Sequence, residues 1–125
     1  MGAHALSSDA IRALLADDPA DQTIHDRVFA TIRYLLRHRL AIGRPVSYID
    51  ATNLNRKDRG YWIDFAVETG CAIEALFFDT PLDVCLIRNG MRDRRVPENV
   101  IREMALNLSP PQIEEGFTRV EIVQA

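Results

Sequence analysis

The stretch CAIEALFFD, Cys71 to Asp79, is apolar at nearly every position. Side chains alternate faces along a strand, so a strand written this way must be covered on both sides. That requirement points to a parallel sheet with helices packed above and below it. The rest of the chain supplies matching parts. PVSYIDA (Pro45–Ala51) is a second short β-branched and aromatic run. AHALSSD (Ala3–Asp9) reads as the end of a short strand, with Ser8 or Asp9 capping the helix AIRALL that follows. TRVEIVQ (Thr118–Gln124) alternates with polar residues and reads as an edge or outer strand.

Helical patterns separate these runs. From Ile24, the residues Val28, Ile32, Leu35, Leu36 and Leu40 recur on one stripe, and Gly43 ends the element. In the polar loop ahead of it, Asp21 or Thr23 is placed to cap that element. RKDRGYWIDFAVETG puts Trp62, Phe65 and Ala66 on one side and stops at Gly70. PLDVCLIRN and VPENVIREMALNL are the remaining two helices. Strand and helix in alternation predict an α/β fold, a three-layer parallel sheet with flanking helices, in one domain over 1–125.

Composition narrows the class. Apolar residues make up 47% and charged residues 26%, near globular averages. A net charge of −3 argues against a chain that coats nucleic acid generally, while leaving room for a local basic site. No apolar run approaches the ~20 residues a bilayer needs, and no signal-peptide pattern opens the chain. Cys71 and Cys85 lie inside apolar segments without metal-type spacing. The expectation is a cytoplasmic protein with reduced core cysteines and no membrane partner. The histidines, His4, His25 and His38, share no spacing and predict no metal site.

Three polar constellations stand where ligands bind in such sheets, beyond the carboxyl ends of strands. In SSDAIR, Asp9 and Arg12 fall on one face of a first helical turn, an acid able to take a proton beside a guanidinium able to hold an anion. The same pair also reads as a simple helix cap with a surface partner. In YIDATN, Asp50 follows the apolar strand residues Tyr48 and Ile49, the usual place for a carboxylate that orients Mg²⁺ on nucleotide phosphates, and a capped helix start is the other reading. RNGMRDRR packs Arg88, Arg92, Arg94 and Arg95 against one acid, Asp93. Guanidinium forks match phosphate oxygens, so this is either a polyanion-binding lid or a solvated loop. A fourth segment, SPPQIEEGF with Phe117, reads as structural, and Tyr61, Trp62 and Phe65 as core.

Taken in order, SSDAIR, GRPVSYIDATNLNRKDR, FFDTPLDVCLIRN, RRVPENVI and PPQIEEGF resemble the P-loop kinases of the polynucleotide 5′-hydroxyl kinase type, the bacterial "predicted kinase" branch of AAA-type ATPases. The resemblance covers essentially all 125 residues. It implies an ATP-dependent phosphotransferase with Mg²⁺ and ATP as cofactors. Asp9 would be the general base on the attacking hydroxyl, and Arg12 would hold a phosphate of the acceptor. Asp50 would stand near the metal, acting indirectly, with Asn53 in the adjoining substrate loop. Arg88 and the catalytic Arg92 would belong to a lid-like segment, 88–107, closing on the nucleotide phosphates. The acceptor implied is a nucleic-acid end or a small phosphorylated molecule.

One departure is large. The family carries G-x-x-x-x-G-K-[ST] after a first strand, ahead of the SSD motif; here eight residues precede Asp9 and the single lysine, Lys57, has no glycines in register. The missing strand is the family's central one. A five-residue strand burying three or four large side chains contributes on the order of 5–10 kcal/mol, against roughly 5–15 kcal/mol for a whole small domain. The expectation is therefore a kinase-like fold without its central first strand, inactive alone, whose gap is filled by rearranged strands, a second copy or a partner segment, with a homo-oligomer favoured. The alternative is a non-catalytic module that binds phosphate or nucleic-acid ends, or an oligomerisation module, on a degenerate kinase fold.

Overall fold

The structure, a computed structural model, describes residues 5–53, 55–92 and 95–124. The chain divides into two compact units, Met1–Thr52 and Asn53–Ala125. His4, Asp93 and Arg94, considered above from sequence, lie outside the described residues.

In the first unit the order is β1 (Leu6–Ser7), α1 (Ser8–Ala16), a 3-10 turn (Gln22–Ile24), α2 (His25–Ala41) and β2 (Ile49–Asp50). α1 starts where the Ser7 hydroxyl accepts the Ala10 N–H at 3.2 Å. The cap is thus Ser7 rather than Ser8 or Asp9, which lie inside the first turn, where Asp9 suits the positive end of the helix dipole. Asp17, in the left-handed region at φ 58°, ends the helix. Asp21 caps the 3-10 turn by accepting the Thr23 N–H at 2.9 Å. α1 packs on α2, and the apolar side chains removed from water are Ile11 on the first and Val28, Ile32 and Leu36 on the second; of the stripe expected from sequence, Leu35 is half-buried and Leu40 stays exposed. Each such burial contributes roughly 1.5–3 kcal/mol. The return to β2 is held by Arg39, whose Nε donates to Ser47 Oγ and whose Nη2 donates to the Val46 carbonyl, both at 2.7 Å. β1 and β2 pair in parallel, with Ser7 beside Asp50. PVSYIDA therefore yields only two paired residues, because its neighbour offers only two.

The second unit runs α3 (Arg56–Thr69), β3 (Glu74–Asp79), α4 (Leu82–Gly90), α5 (Glu98–Asn107), a 3-10 turn (Ile113–Glu115) and β4 (Arg119–Gln124). Asn55 caps α3 through the Asp58 N–H, and Gly70, at φ 75°, closes it. β3 and β4 pair in parallel over six residues, from Glu74 beside Arg119 to Asp79 beside Gln124. The described strands thus make two separate two-stranded parallel sheets, and the α/β alternation holds without a single three-layer sheet on view. On β3, Leu76 keeps 41% and Phe78 48% of their surface exposed. The composition of β3 suits a sheet interior, and these exposures show that its faces are only partly covered among the described residues.

The core of this unit is α3 with the segment before β4. Trp62, Ile63, Phe65, Ala66 and Phe117 are buried, in line with the structural reading of those aromatics; Tyr61 is partly exposed and meets Trp62 edge-on at 4.8 Å. Arg59 lies on the same buried stripe. Its guanidinium grips Glu115 at two points, 2.9 and 3.0 Å, with only 7% and 3% of the two side chains exposed. It also donates to the carbonyls of Asn53 (3.2 Å), Ser109 (2.7 Å) and Pro110 (3.4 Å). Gly116, at φ 129°, follows; a Cβ there would stand 2.7 Å from Ile63 Cγ2, so both backbone and space demand glycine.

Two outcomes follow from the Arg59–Glu115 pair. Glu115→Ala leaves a buried guanidinium without its counter-charge and is expected to cost about 3–5 kcal/mol in urea unfolding; a loss under 1 kcal/mol would show the pair to be dispensable. Arg59, and after it the Gln112 N–H, hold the Glu115 carboxyl below its ordinary value of 4.5. The folded form therefore binds its proton less readily than the unfolded one. The resulting stability is complete above pH ~4.5 and fades as pH falls through the lower folded value. Melting temperature should drop in that acid window, and less steeply in Glu115→Gln.

Candidate functional site

β1 and β2 run side by side in the same direction, so their carboxyl ends fall together. There the first unit gathers three of the nominated side chains. Asp50 is the last residue of β2, beside Ser7, and Asp9 stands two residues beyond Ser7 in the first turn of α1. Arg12, one turn on, donates through Nη1 to Asp9 Oδ1 at 3.1 Å. Their exposures differ sharply: 54% of the Asp9 side chain meets solvent, and 4% of Arg12. The pair is thus an accessible carboxylate braced from below by a buried cation, which fits neither a simple cap nor a surface ion pair.

Arg12 has a further property. Among the described residues nothing hydrogen-bonds its buried Nε. A buried guanidinium donor without an acceptor is costly, on the order of 1–3 kcal/mol or more for a charged group. Asp21 also senses this cation. The Thr23 hydroxyl and N–H hold the Asp21 carboxyl below the usual range, and the Arg12 charge adds to that.

A Mg²⁺ ion is commonly held by one or two carboxylates together with waters and phosphate oxygens. Asp50 fits the protein part of such a set: it is exposed at a strand end, and no described residue hydrogen-bonds its carboxylate. Among the described residues no group of three His, Cys, Asp or Glu side chains gathers to hold a metal unaided.

The remaining nominated residues belong to the second unit. Asn53 takes a left-handed backbone, φ 42°, a conformation asparagine tolerates better than most residues, and its carbonyl is fixed by Arg59. Arg88 is exposed in the last turn of α4, and Arg92 is exposed just beyond it, its N–H on the Asn89 carbonyl at 3.2 Å. Arg59 and Asn89 were missed at the level of sequence. For Arg59 a signal existed: positions 59, 62, 63 and 66 form one helical stripe, and a charge there sits in the core face. A shallow groove lined by Leu15, Arg27, Ala30, Thr31 and Tyr34 contains none of the nominated residues.

Among the described residues no helix is long and apolar enough to cross a membrane. A comparison with curated proteins finds no match. A family model described as an AAA domain, of the P-loop NTPase-like kinase kind, matches residues 1–111. With its parallel strands and its carboxylates at their carboxyl ends, the chain belongs to that AAA domain family.

Proposed function

We propose that this chain carries the acceptor side and the arginine clamp of an ATP-dependent phosphotransferase of the polynucleotide 5′-hydroxyl kinase type. The observation that carries the reading is the Asp9–Arg12 pair, with its exposed carboxylate and its buried, partly unbonded guanidinium. Asp9 takes the proton of an attacking hydroxyl. Arg12 holds Asp9 in place and its positive charge attracts a phosphate of the acceptor, either a nucleic-acid end or a small phosphorylated molecule. Asp50 holds the water shell of Mg²⁺, which when bound neutralises charge on the nucleotide phosphates. Arg88 and Arg92, in the segment 88–107, draw charge from the phosphoryl group in transfer, and Asn53 supplies a contact to substrate.

No G-x-x-x-x-G-K-[ST] occurs in these 125 residues. Loss of one transition-state donor alone costs about 10²–10³ in rate, and this loop supplies several donors together with its lysine. The purified chain is therefore expected to transfer no labelled γ-phosphate to a 5′-hydroxyl oligonucleotide; measurable turnover would overturn that part of the reading. The same absence favours a second reading, a phosphate-binding module without catalysis. Under either reading a 5′-phosphorylated oligonucleotide should bind in a salt-sensitive manner, and Arg12→Ala should abolish binding while the fold persists. Undiminished binding by that variant would remove Arg12 from the site.

The open apolar strand β3 supports a further element of the proposal, that the chain associates with itself or with a strand-completing partner. Sedimentation at micromolar concentration should give more than the 14.2 kDa of one chain; a monomer mass would count against self-association.

A further inference from the structure

Asn89 lies in the last turn of α4 and is one of the few buried polar side chains. Both ends of its amide are used on a single residue. Nδ2 donates to the Val96 carbonyl at 2.7 Å, and Oδ1 accepts the Val96 N–H at 2.9 Å. This two-point pairing imitates one rung of a sheet. It ties Val96 back to the helix that the chain left seven residues earlier.

Three arginines stand among the described residues around this tie. Arg88 is on α4 immediately before Asn89, Arg92 hydrogen-bonds the Asn89 carbonyl through its N–H, and Arg95 Nε donates to the Arg92 carbonyl at 3.4 Å. All three are exposed. Like charges carried on one short segment repel. With Asn89 and Val96 joined, the backbone that carries these arginines is held in a short loop, which limits how far they can separate before any ligand arrives.

We propose that Asn89 is a positioning residue that preorganises Arg88 and Arg92 for a chain of phosphates such as that of a nucleoside triphosphate. This role rests on the phosphotransferase reading given above, which supplies the polyphosphate. It adds a residue that touches no ligand and acts through the arginines beside it. The amide is suited to the task because it pairs at two points with both the N–H and the carbonyl of one residue, which a carboxylate, a hydroxyl or an aliphatic side chain cannot do.

The test uses the full chain and inorganic tripolyphosphate, titrated calorimetrically at low salt. Wild type should bind saturably, and Asn89→Ala should bind about tenfold more weakly, as expected when two long side chains must be ordered on binding. Asn89→Asp keeps the bond from the Val96 N–H and loses the one to its carbonyl, so it too should weaken binding, and it serves should the alanine variant fail to fold. The deciding readout is the double variant. In an Arg92→Ala background, Asn89→Ala should cost little more, because the two residues act as one. Wild-type affinity in a folded Asn89 variant overturns the role, as does a full additive loss in the double variant. Absence of saturable binding by wild type instead sinks the polyphosphate reading of the arginines themselves.

Discussion

The second unit is organised around one buried cation. Arg59 lies on the apolar stripe of α3, where a charge without partners would cost several kcal/mol. It is tolerated because every nitrogen of its guanidinium has an acceptor: the Glu115 carboxylate, the carbonyls of Asn53, Ser109 and Pro110, and the Ser109 hydroxyl. The fork geometry of arginine makes this possible, whereas an ammonium offers one point and three donors. One side chain thereby sets the start of the unit, the loop after α5 and the approach to β4. The double proline, the 3-10 turn and the glycine in SPPQIEEGF supply the shape that brings those acceptors in.

Much of this was legible in the sequence, for a definite reason. The helices α2 and α3 carry long stripes with local stop signals, and local signals are what sequence reports best: the stripe Val28, Ile32, Leu36 and the stop at Gly70 stand where periodicity put them. The alternation of strand and helix was equally local. Strand extent was not, because a ladder is as long as its partner allows, and β1 limits β2 to Ile49 and Asp50. The place of Arg59 on a core stripe was readable, but its partners and those of Asn89 were opaque for a related reason. They are backbone groups, and for Arg59 also a carboxylate and a hydroxyl, of other segments, and their identity is set by the fold rather than by residue type.

Arg12, Arg59 and Asn89 are buried polar residues among the described ones. They differ in what they leave over. Arg59 and Asn89 bond the protein's own backbone and carboxylates and thereby fix loops. Arg12 bonds Asp9 and retains an unused Nε. Structural polar groups in cores are normally satisfied internally, and a leftover donor beside an exposed acid marks a place where a ligand would complete the set. Arg12 therefore differs from Arg59 and Asn89 in an unfilled donor rather than in residue type.

The reach of the Arg59 contacts has a consequence in time. Its carboxylate partner lies 56 positions downstream, and the Ile73 carbonyl that anchors the start of β4 waits 45 positions for Thr118. As a ribosome extends the chain, α3 can coil as soon as it emerges, yet its arginine must stay hydrated until the far segment appears. Closing so long a loop carries an entropic toll that local helices avoid. The unit is thus a late assembler: its interior stays wet until the segment that runs from Ser109 to Thr118 has left the exit tunnel.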